Sequence, residues 1–347
     1  MIRRAVLALL LFAALLGLGV AGLWAAGWLP GQRSGPEVAS STPAPSPEPV
    51  GVPPTVVVPP LPAPEPVPPE AATPEPISPT PATPPSPPPA PTRPFAITPV
   101  NAVRALAGVA AVTGEPDWAE GCAAHARYLV RADRGEHRED PASPHRTAAG
   151  ETCADGHYFV SSQADSGAER AVAYWATGAF HLPQLIDPRL TRVALGVAHD
   201  DSGTVQSAAV LDVRRGLEGT GTYPVRFPAP GRVSPYTVAA TSEWPDPTPS
   251  CPGSVAPLGA PVALLLGPDT TVRDAALNVN GRPVTACLLT AQTFQGSSEA
   301  DTRVGRGVLA AQGSAVLLPR RPLPAGAAVR VSFVTSAGRV SWAFRVR

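Results

Sequence analysis

The chain has 347 residues, which is enough for two folded domains and additional segments. Its formal net charge is +0, so the overall charge favours neither nucleic acid nor an acidic membrane surface, and we expect no nucleic-acid partner. The 47 prolines are concentrated early in the chain, where they indicate a segment without a folded core.

The first 31 residues have the pattern of an export segment. Arg3 and Arg4 precede an apolar run from Ala5 to Trp28, which is long enough to span about 30 Å of hydrocarbon as a helix. Positive charge before such a run stays on the inner side of the membrane. Residues 1–31 are therefore either a signal-anchor helix or a cleaved signal peptide. In both cases we expect an exported, cell-envelope protein, anchored in the membrane or secreted after cleavage.

Residues 32–96 form a proline-rich linker. Proline lacks a backbone donor and favours the extended polyproline II conformation, so this composition predicts disorder and no core. At about 3.1 Å per residue, such a segment acts as a long spacer.

Residues 97–219 carry alternating helix and strand patterns that predict an α+β domain with helices layered on a hairpin sheet. Helices are predicted at Asn101–Val112, at Trp118–Arg131 and before Gly178, and strands at Tyr158–Val160, Val193–His199 and Val205–Val213. We expect Gly178 to end the third helix by adopting left-handed backbone angles. Trp175 is predicted to lie in the core of this domain, and His181 follows it on irregular backbone.

The other histidines have simpler interpretations. His125 lies on the apolar face of the second helix and is expected to be a hydrogen-bonded core residue. The remaining ones, His145, His157 and His199, are expected to be solvated loop residues. The chain has no HExxH or CxxC spacing, so the pattern alone does not establish a metal site.

Residues 220–347 contain short β-rich runs and are predicted to form an all-β sandwich. Asn280-Gly281 is typical of a type I′ hairpin. Leu323-Pro324-Ala325-Gly326 precedes an alternating strand, and Val340-x-Trp-x-Phe-x-Val ends the chain, a combination that resembles bacterial Ig-like domains. A role in spacing or adhesion is the expectation for this region.

The four cysteines support export, because disulfides persist in oxidising compartments. Four cysteines allow three pairings. We expect Cys122–Cys153 and Cys251–Cys287, because each of these pairs stays within one predicted domain.

Several motifs in the first domain resemble the bacterial type of the CAP superfamily (cysteine-rich secretory, antigen 5 and pathogenesis-related proteins), also called SCP-like. The matching pieces are Asn101-Ala-x-Arg104, Ala124-His125-Ala126-x-Tyr-Leu, His137-x-Glu-Asp-Pro, and Trp175-x5-His181 followed by Leu185-Ile186-Asp187-Pro188. The resemblance implies an α-β-α sandwich with a central cleft, lined by two histidines and two acidic residues.

The resemblance assigns His137 and His181 to the two cleft histidines, whereas the acidic positions of this chain depart from the family pattern. Glu139, Glu151 and Glu169 are the candidate cleft acids: Glu139 lies two residues from His137, and Gly150-Glu151-Thr152 is the nearest literal match to the family's Gly-Glu-Asn. Counting back from Trp175 instead puts the glutamate position of the family's Gly-Glu-Asn motif near His157-Tyr158. Neutral imidazoles beside carboxylates could share a divalent cation such as Zn²⁺, so His137 and His181 are also the candidate metal ligands.

Three functional hypotheses follow. The first is a non-enzymatic cleft that binds a small or lipid-like ligand. The second is a hydrolase, such as a peptidase, that uses His137 and His181 with Glu139 or a metal ion. The third is a structural cell-envelope protein in which the C-terminal region contacts an envelope component. We favour the first, because the sequence offers no nucleophile elbow and the acidic partners are poorly matched.

Overall fold

The structure, a computed structural model, describes residues 97–267 and 269–347. The predicted export segment (1–31) and linker (32–96) lie outside the described residues. Within the described ranges, no helix is both long enough and apolar enough to cross a membrane.

The first part of the described chain contains five helices and four strands. The helices are α1 (Thr98–Ala107), α2 (Pro116–Arg131), α3 (Ala148–Glu151), α4 (Ala168–Thr177) and α5 (Leu182–Leu185). The strands are β1 (Thr113–Gly114), β2 (His157–Ser161), β3 (Arg192–His199) and β4 (Ser207–Asp212). They form one sheet in the order β1-β3-β4-β2, in which β1 and β3 are parallel and the other pairs antiparallel.

Helices cover both faces of this sheet. Successive side chains of a strand point to opposite faces, and β3 shows this directly. Leu195 lies in a hydrophobic cluster with residues of α1 and α4, whereas Ala194 lies in a second cluster with residues of α2. The region therefore has the three-layer α-β-α arrangement that the family resemblance implied.

Two side chains of α1 hold distant backbone segments in place. Arg104 is 0% exposed, and its guanidinium donates hydrogen bonds of 2.7–3.0 Å to the backbone carbonyls of Ala110, Leu185, Asp187 and Leu190. The side-chain amide of Asn101 both donates to and accepts from the backbone of Val112. The Asn-Ala-x-Arg motif thus has a structural role, because it satisfies buried backbone groups that would otherwise lack partners.

A close approach and a disulfide fix α2 against the sheet. A Cβ atom at Gly196 would lie 2.1 Å from the backbone nitrogen of Ala123, so only glycine permits this helix–strand contact. The Cys122–Cys153 disulfide then joins α2 to the loop after α3. The second predicted pair, Cys251–Cys287, is also formed, so both predicted pairings are confirmed.

The C-terminal region contains two further sheets and one α-helix. The strands are β5 (Val225–Phe227), β6 (Val233–Ser234), β7 (Val262–Leu265), β8 (Val272–Val279), β9 (Arg282–Val284), β10 (Ala286–Thr290), β11 (Ser314–Pro319), β12 (Ala328–Thr335) and β13 (Gly338–Val346). One sheet has the order β10-β11-β7-β5 and the other β6-β13-β12-β8-β9. All neighbouring pairs are antiparallel except β6 and β13.

The two sheets share a hydrophobic core. Leu264 and Leu317 of the first sheet cluster with Phe333 and Trp342 of the second, as expected of a sandwich. The prediction of an all-β region was wrong, however, because the helix α6 (Glu299–Ala311) lies between β10 and β11. The Ig-like identity of the sandwich stays a prediction.

The opposite face of the β10-β11-β7-β5 sheet joins the core of the first region. Leu265 and Val316 belong to the same buried cluster as Trp175. Phe180, just after α4, stacks edge-to-face on Phe294, with ring centroids 4.8 Å apart. The described residues accordingly belong to one compact unit, although the sequence predicted a boundary between residues 219 and 220.

Replacing Arg104 with Met tests its structural role. The substitution leaves four backbone carbonyls without their donor, at a cost of about 1–3 kcal/mol for each group that water cannot reach. We expect the free energy of unfolding of the full chain, measured in urea, to fall by about 3 kcal/mol or more. Arg282→Met, at an exposed position, should change it by less than about 0.5 kcal/mol. Equal effects of the two substitutions would contradict this role.

Candidate functional site

A cleft of about 810 Å³ lies between the first region and the segment that follows β6; we call it the main cleft. Its aromatic side chains come from both sides of the cleft: Tyr158, Phe159, Tyr174, Tyr236 and Trp244. His137 and His181 both line it, so the structure brings together the two histidines that the resemblance assigned to the cleft.

The acidic partner of His181 is Glu243, a residue that was not among the predicted cleft acids. Glu243 is 6% exposed, and its Oε1 lies 2.8 Å from Nδ1 of His181. The carboxylate also accepts hydrogen bonds from three consecutive backbone N–H groups, those of residues 179, 180 and 181, at 2.6–3.2 Å. Because a carboxylate only accepts, it holds the proton of a neutral His181 ring on Nδ1 and leaves Nε2 as an acceptor.

Gly178 makes room for this carboxylate. A Cβ atom at this position would lie 2.5 Å from Oε1 of Glu243 and 3.1 Å from Nδ1 of His181. The glycine has φ −85° and ψ 138°, which is extended backbone. The expectation of left-handed angles was therefore wrong, and the absence of a side chain is what the site requires.

His137 reaches the main cleft from the loop after α2. Its Nδ1 lies 3.2 Å from the carbonyl oxygen of Ala154, so Nδ1 carries the proton and Nε2 is an acceptor. The ring stacks edge-to-face on Tyr158, with centroids 4.9 Å apart. Burial is the main cause that lowers the pKa of His137 below its ordinary value, and the neutral ring is therefore favoured.

His157 is a third histidine at the site, and the prediction that it is a solvated loop residue was wrong. It begins β2, is 4% exposed, and its ring centroid lies 4.8 Å from that of His181. Burial, together with His181 and His137, lowers the pKa of His157 well below its ordinary value. Its position agrees with the count back from Trp175, so an imidazole stands where the family pattern places a carboxylate.

Trp175 and Trp244 have opposite roles. Trp175 is 0% exposed, as predicted, and its Nε1 donates to the carbonyl oxygen of Tyr158 at 3.1 Å. Trp244 is 49% exposed, with its ring centroid 6.3 Å from that of His137, and its Nε1 donates to Asp301 of α6 at 3.0 Å. The second tryptophan is therefore an aromatic surface at the mouth of the site.

The predicted cleft acids lie elsewhere. Glu139 is 2% exposed, and its Oε1 lies 3.1 Å from Nδ1 of His125, the buried histidine of α2. Its other oxygen accepts from the backbone N–H of Thr147 at 2.6 Å. Glu151 accepts from the backbone N–H of Glu139 at 3.0 Å and forms ion pairs with arginines 138 and 146. Both acids thus organise the loop between α2 and β2 and pair with neither His137 nor His181.

Glu169 lies in the first turn of α4 and is exposed. It lines a different surface cavity, beside the N-terminus of α1. A negative charge in the first turn is stabilised by the helix dipole, which accounts for its position.

The donor set does not fit a resident metal ion. Over residues 97–267 and 269–347, no group of three or more His, Cys, Asp or Glu side chains is arranged to hold one. Both oxygens of Glu243 already accept hydrogen bonds. The Zn²⁺ expectation at His137 and His181 therefore receives no support from the geometry, and we assign no chemistry to a metal.

A second cavity, of about 420 Å³, shares His137, His181 and Trp244 with the main cleft. It extends towards α6, and we call it the helix-side cavity. His157 lines this cavity and is absent from the lining of the main cleft.

Glu243 and Trp244 carried no sequence signal of a site. They lie in a Pro- and Ser-rich stretch, and Glu243 is 62 residues from His181. His157 did carry a signal, because counting back from Trp175 along the family pattern leads to His157. The prediction of a solvated loop residue did not use this signal.

Comparison with known proteins gives one family match. The family model described as CAP, cysteine-rich secretory protein family, matches residues 97–212 and supports a CAP-superfamily domain there. The match ends at the last residue of β4, so Glu243 and Trp244 lie beyond it. No curated protein and no solved structure matches the chain.

Replacing Glu243 with Ala tests the contribution of its carboxylate. Three backbone N–H groups, two of them fully buried, and the ring of His181 would lose their acceptor, so we expect the free energy of unfolding to fall by about 3 kcal/mol. Glu169→Ala is the matched control and should cost less than about 1 kcal/mol. Urea unfolding of the full chain measures both values, and a Glu243→Ala protein as stable as the control would contradict the assignment.

Histidine burial makes the stability of the chain pH-dependent. Below about pH 6.5 the unfolded chain binds protons on His157 and His137 that the folded chain, with its lowered pKa values, does not. The free energy of unfolding should therefore have its full value above about pH 6.5 and should decrease as the pH falls below this value. The decrease is up to about 1.4 kcal/mol per pH unit for each proton that only the unfolded chain binds. Chemical unfolding between pH 7.5 and 5.5 measures this slope.

The His157→Gln variant should show a shallower slope than the wild type, whereas His199→Gln, at an exposed position, should keep the full slope. Identical slopes in all three proteins would show that His157 is not held neutral by the fold.

Proposed function

We propose that this chain is an exported CAP-domain protein whose main cleft binds a small or lipid-like ligand. Export is supported by the sequence of residues 1–31 and by two disulfides, which are typical of oxidising compartments. The C-terminal sandwich would then provide spacing or adhesion to a cell-envelope component.

The observation that carries this proposal is the combination of an aromatic wall with two imidazole acceptors. Binding sites for small molecules are concave, mostly apolar and fitted with a few convergent polar groups. The main cleft has this composition, and its volume of about 810 Å³ falls within the usual range for such sites. Nε2 of His137 and Nε2 of His181 are both acceptors, so a ligand with an apolar body and a hydroxyl group fits the cleft.

The walls of the cleft favour a ligand with a rigid apolar body. Tyr174 of α4 reaches the segment after β6, where its hydroxyl donates to the carbonyl oxygen of Ser242 at 3.2 Å. Burial raises the pKa of Tyr174, so its hydroxyl stays protonated at neutral pH. The cleft therefore presents fixed aromatic surfaces, with uncharged polar groups at their edges.

A fluorescent sterol with one hydroxyl group, dehydroergosterol, is a suitable probe for this site. We expect saturable binding of one sterol per chain to the full-length protein, measured by fluorescence. Val238→Asp introduces a carboxylate into the cleft wall and should weaken binding at least about tenfold, which corresponds to about 1.4 kcal/mol.

Val233→Asp provides a matched control, because this valine is also exposed, at 48% against 39% for Val238, and does not line the cleft. Equal weakening in both variants, or no saturable binding to the wild type, would contradict the proposal. The second of these results would favour a purely structural role in the cell envelope.

The His181–Glu243 contact favours one second candidate, a hydrolase. In many hydrolases a histidine acts as the general base, and a carboxylate hydrogen-bonded to its other ring nitrogen orients it. His181 and Glu243 have this arrangement. Within the described part of the chain, no Ser, Thr or Cys side chain hydrogen-bonds to His181, so the nucleophile would be water. Cleavage of labelled casein by the full chain, lost in His181→Asn, would favour this candidate, and no cleavage by the wild type would oppose it.

A further inference from the structure

The helix-side cavity lies between two parts of the chain, of which only one is covered by the family match. One wall consists of His157 and Gln184, which belong to residues 97–212, the CAP region. The other wall consists of α6 and the adjacent Gln312, which lie outside this region. Its volume of about 420 Å³ is sufficient for a small organic molecule. None of the functions considered above uses this cavity.

Two deeply buried polar side chains in its lining have unused hydrogen-bonding atoms. His157 is 4% exposed and Gln312 is 3% exposed. Among the residues that the structure describes, neither ring nitrogen of His157 has a hydrogen-bond partner. The Oε1 atom of Gln312 also lacks a partner among them. Buried polar atoms are almost always paired, because an unpaired one costs about 1–3 kcal/mol. These atoms therefore indicate that the cavity receives a polar molecule.

The charges around the cavity favour an anion. Arg214 lines it and forms no ion pair with any described residue. The carboxylate in the lining is that of Asp155, which is already paired with Arg138 at 2.8 Å. The positive charge of Arg214 also contributes to the lowered pKa of His157, so the two side chains are electrostatically coupled.

We propose that the helix-side cavity binds a small hydroxycarboxylate. Arg214 binds the carboxylate group, since guanidinium groups match carboxylates in charge and geometry. The hydroxyl group accepts a hydrogen bond from the neutral imidazole of His157 and donates one to Oε1 of Gln312. This assignment gives partners to one ring nitrogen of His157 and to Oε1 of Gln312, and it holds whether or not the main cleft binds a lipid-like ligand.

Gly307 offers a way to fill the cavity without breaking the fold. It lies in α6 and lines the cavity, and a Cβ atom added there would meet nothing within 4 Å. A larger side chain also suits a helix better than glycine does. Gly307→Leu should therefore occupy the space of the ligand and leave α6 intact.

Titration of the full chain with L-lactate, followed by saturation-transfer NMR, tests the proposal. We expect saturable binding to the wild type and binding weakened at least about tenfold in both Arg214→Gln and Gly307→Leu. Arg282→Gln removes the same charge from a surface site outside the cavity and should bind as the wild type does. Thermal unfolding of each variant verifies that it is folded.

Failure of the wild type to bind lactate saturably would overturn the proposal. Equal affinity of Arg214→Gln and Arg282→Gln would overturn the role of Arg214, and unchanged binding to Gly307→Leu would place lactate elsewhere. Because Arg214 and Gly307 do not line the main cleft, the sterol experiment can fail without affecting this one.

Discussion

The carboxylate of Glu243 is the interaction on which the site depends. It accepts hydrogen bonds from the three backbone N–H groups that follow Gly178 and from Nδ1 of His181. A nearly buried carboxylate is stable only when such donors replace its lost hydration. The same contacts attach the segment after β6 to the CAP region, so one side chain both orients a histidine and joins two parts of the fold.

This attachment makes the site a composite one. His137 and His181 lie within the stretch that the CAP family model matches, whereas Glu243 and Trp244 lie beyond it. The shared hydrophobic core, in which Phe180 stacks on Phe294, also holds the two parts together. A fragment ending at residue 212 would therefore lack both the acid that orients His181 and one wall of the cleft.

Most of the fold could be predicted from local patterns. The helices of the CAP region and the strands of the sandwich follow hydrophobic periodicity, and the cysteine pairs follow from their separation into two regions. The helix Glu299–Ala311 was missed because it contains two glycines, Gly305 and Gly307, and glycine has low helix propensity. Gly305 is nevertheless required, since a Cβ atom there would lie 2.3 Å from the ring of Phe294.

The site was harder to predict because its partners are set by tertiary contacts. Glu139 is close to His137 in sequence, yet its carboxylate turns to His125 and to the loop backbone. Glu243 has no local sequence pattern that would distinguish it from the other glutamates of the chain. His157 could have been identified, because its distance from Trp175 places it in the slot of a family acid.

Nitrogen-15 NMR of the full chain with labelled histidine tests the composite site most directly. The six histidines can be distinguished by single substitutions, with His181→Gln identifying the signal of interest. At neutral pH we predict that His181 carries its proton on Nδ1 in the wild type and loses this preference in Glu243→Ala. A His181 signal with the proton on Nε2, or one that Glu243→Ala leaves unchanged, would contradict the account.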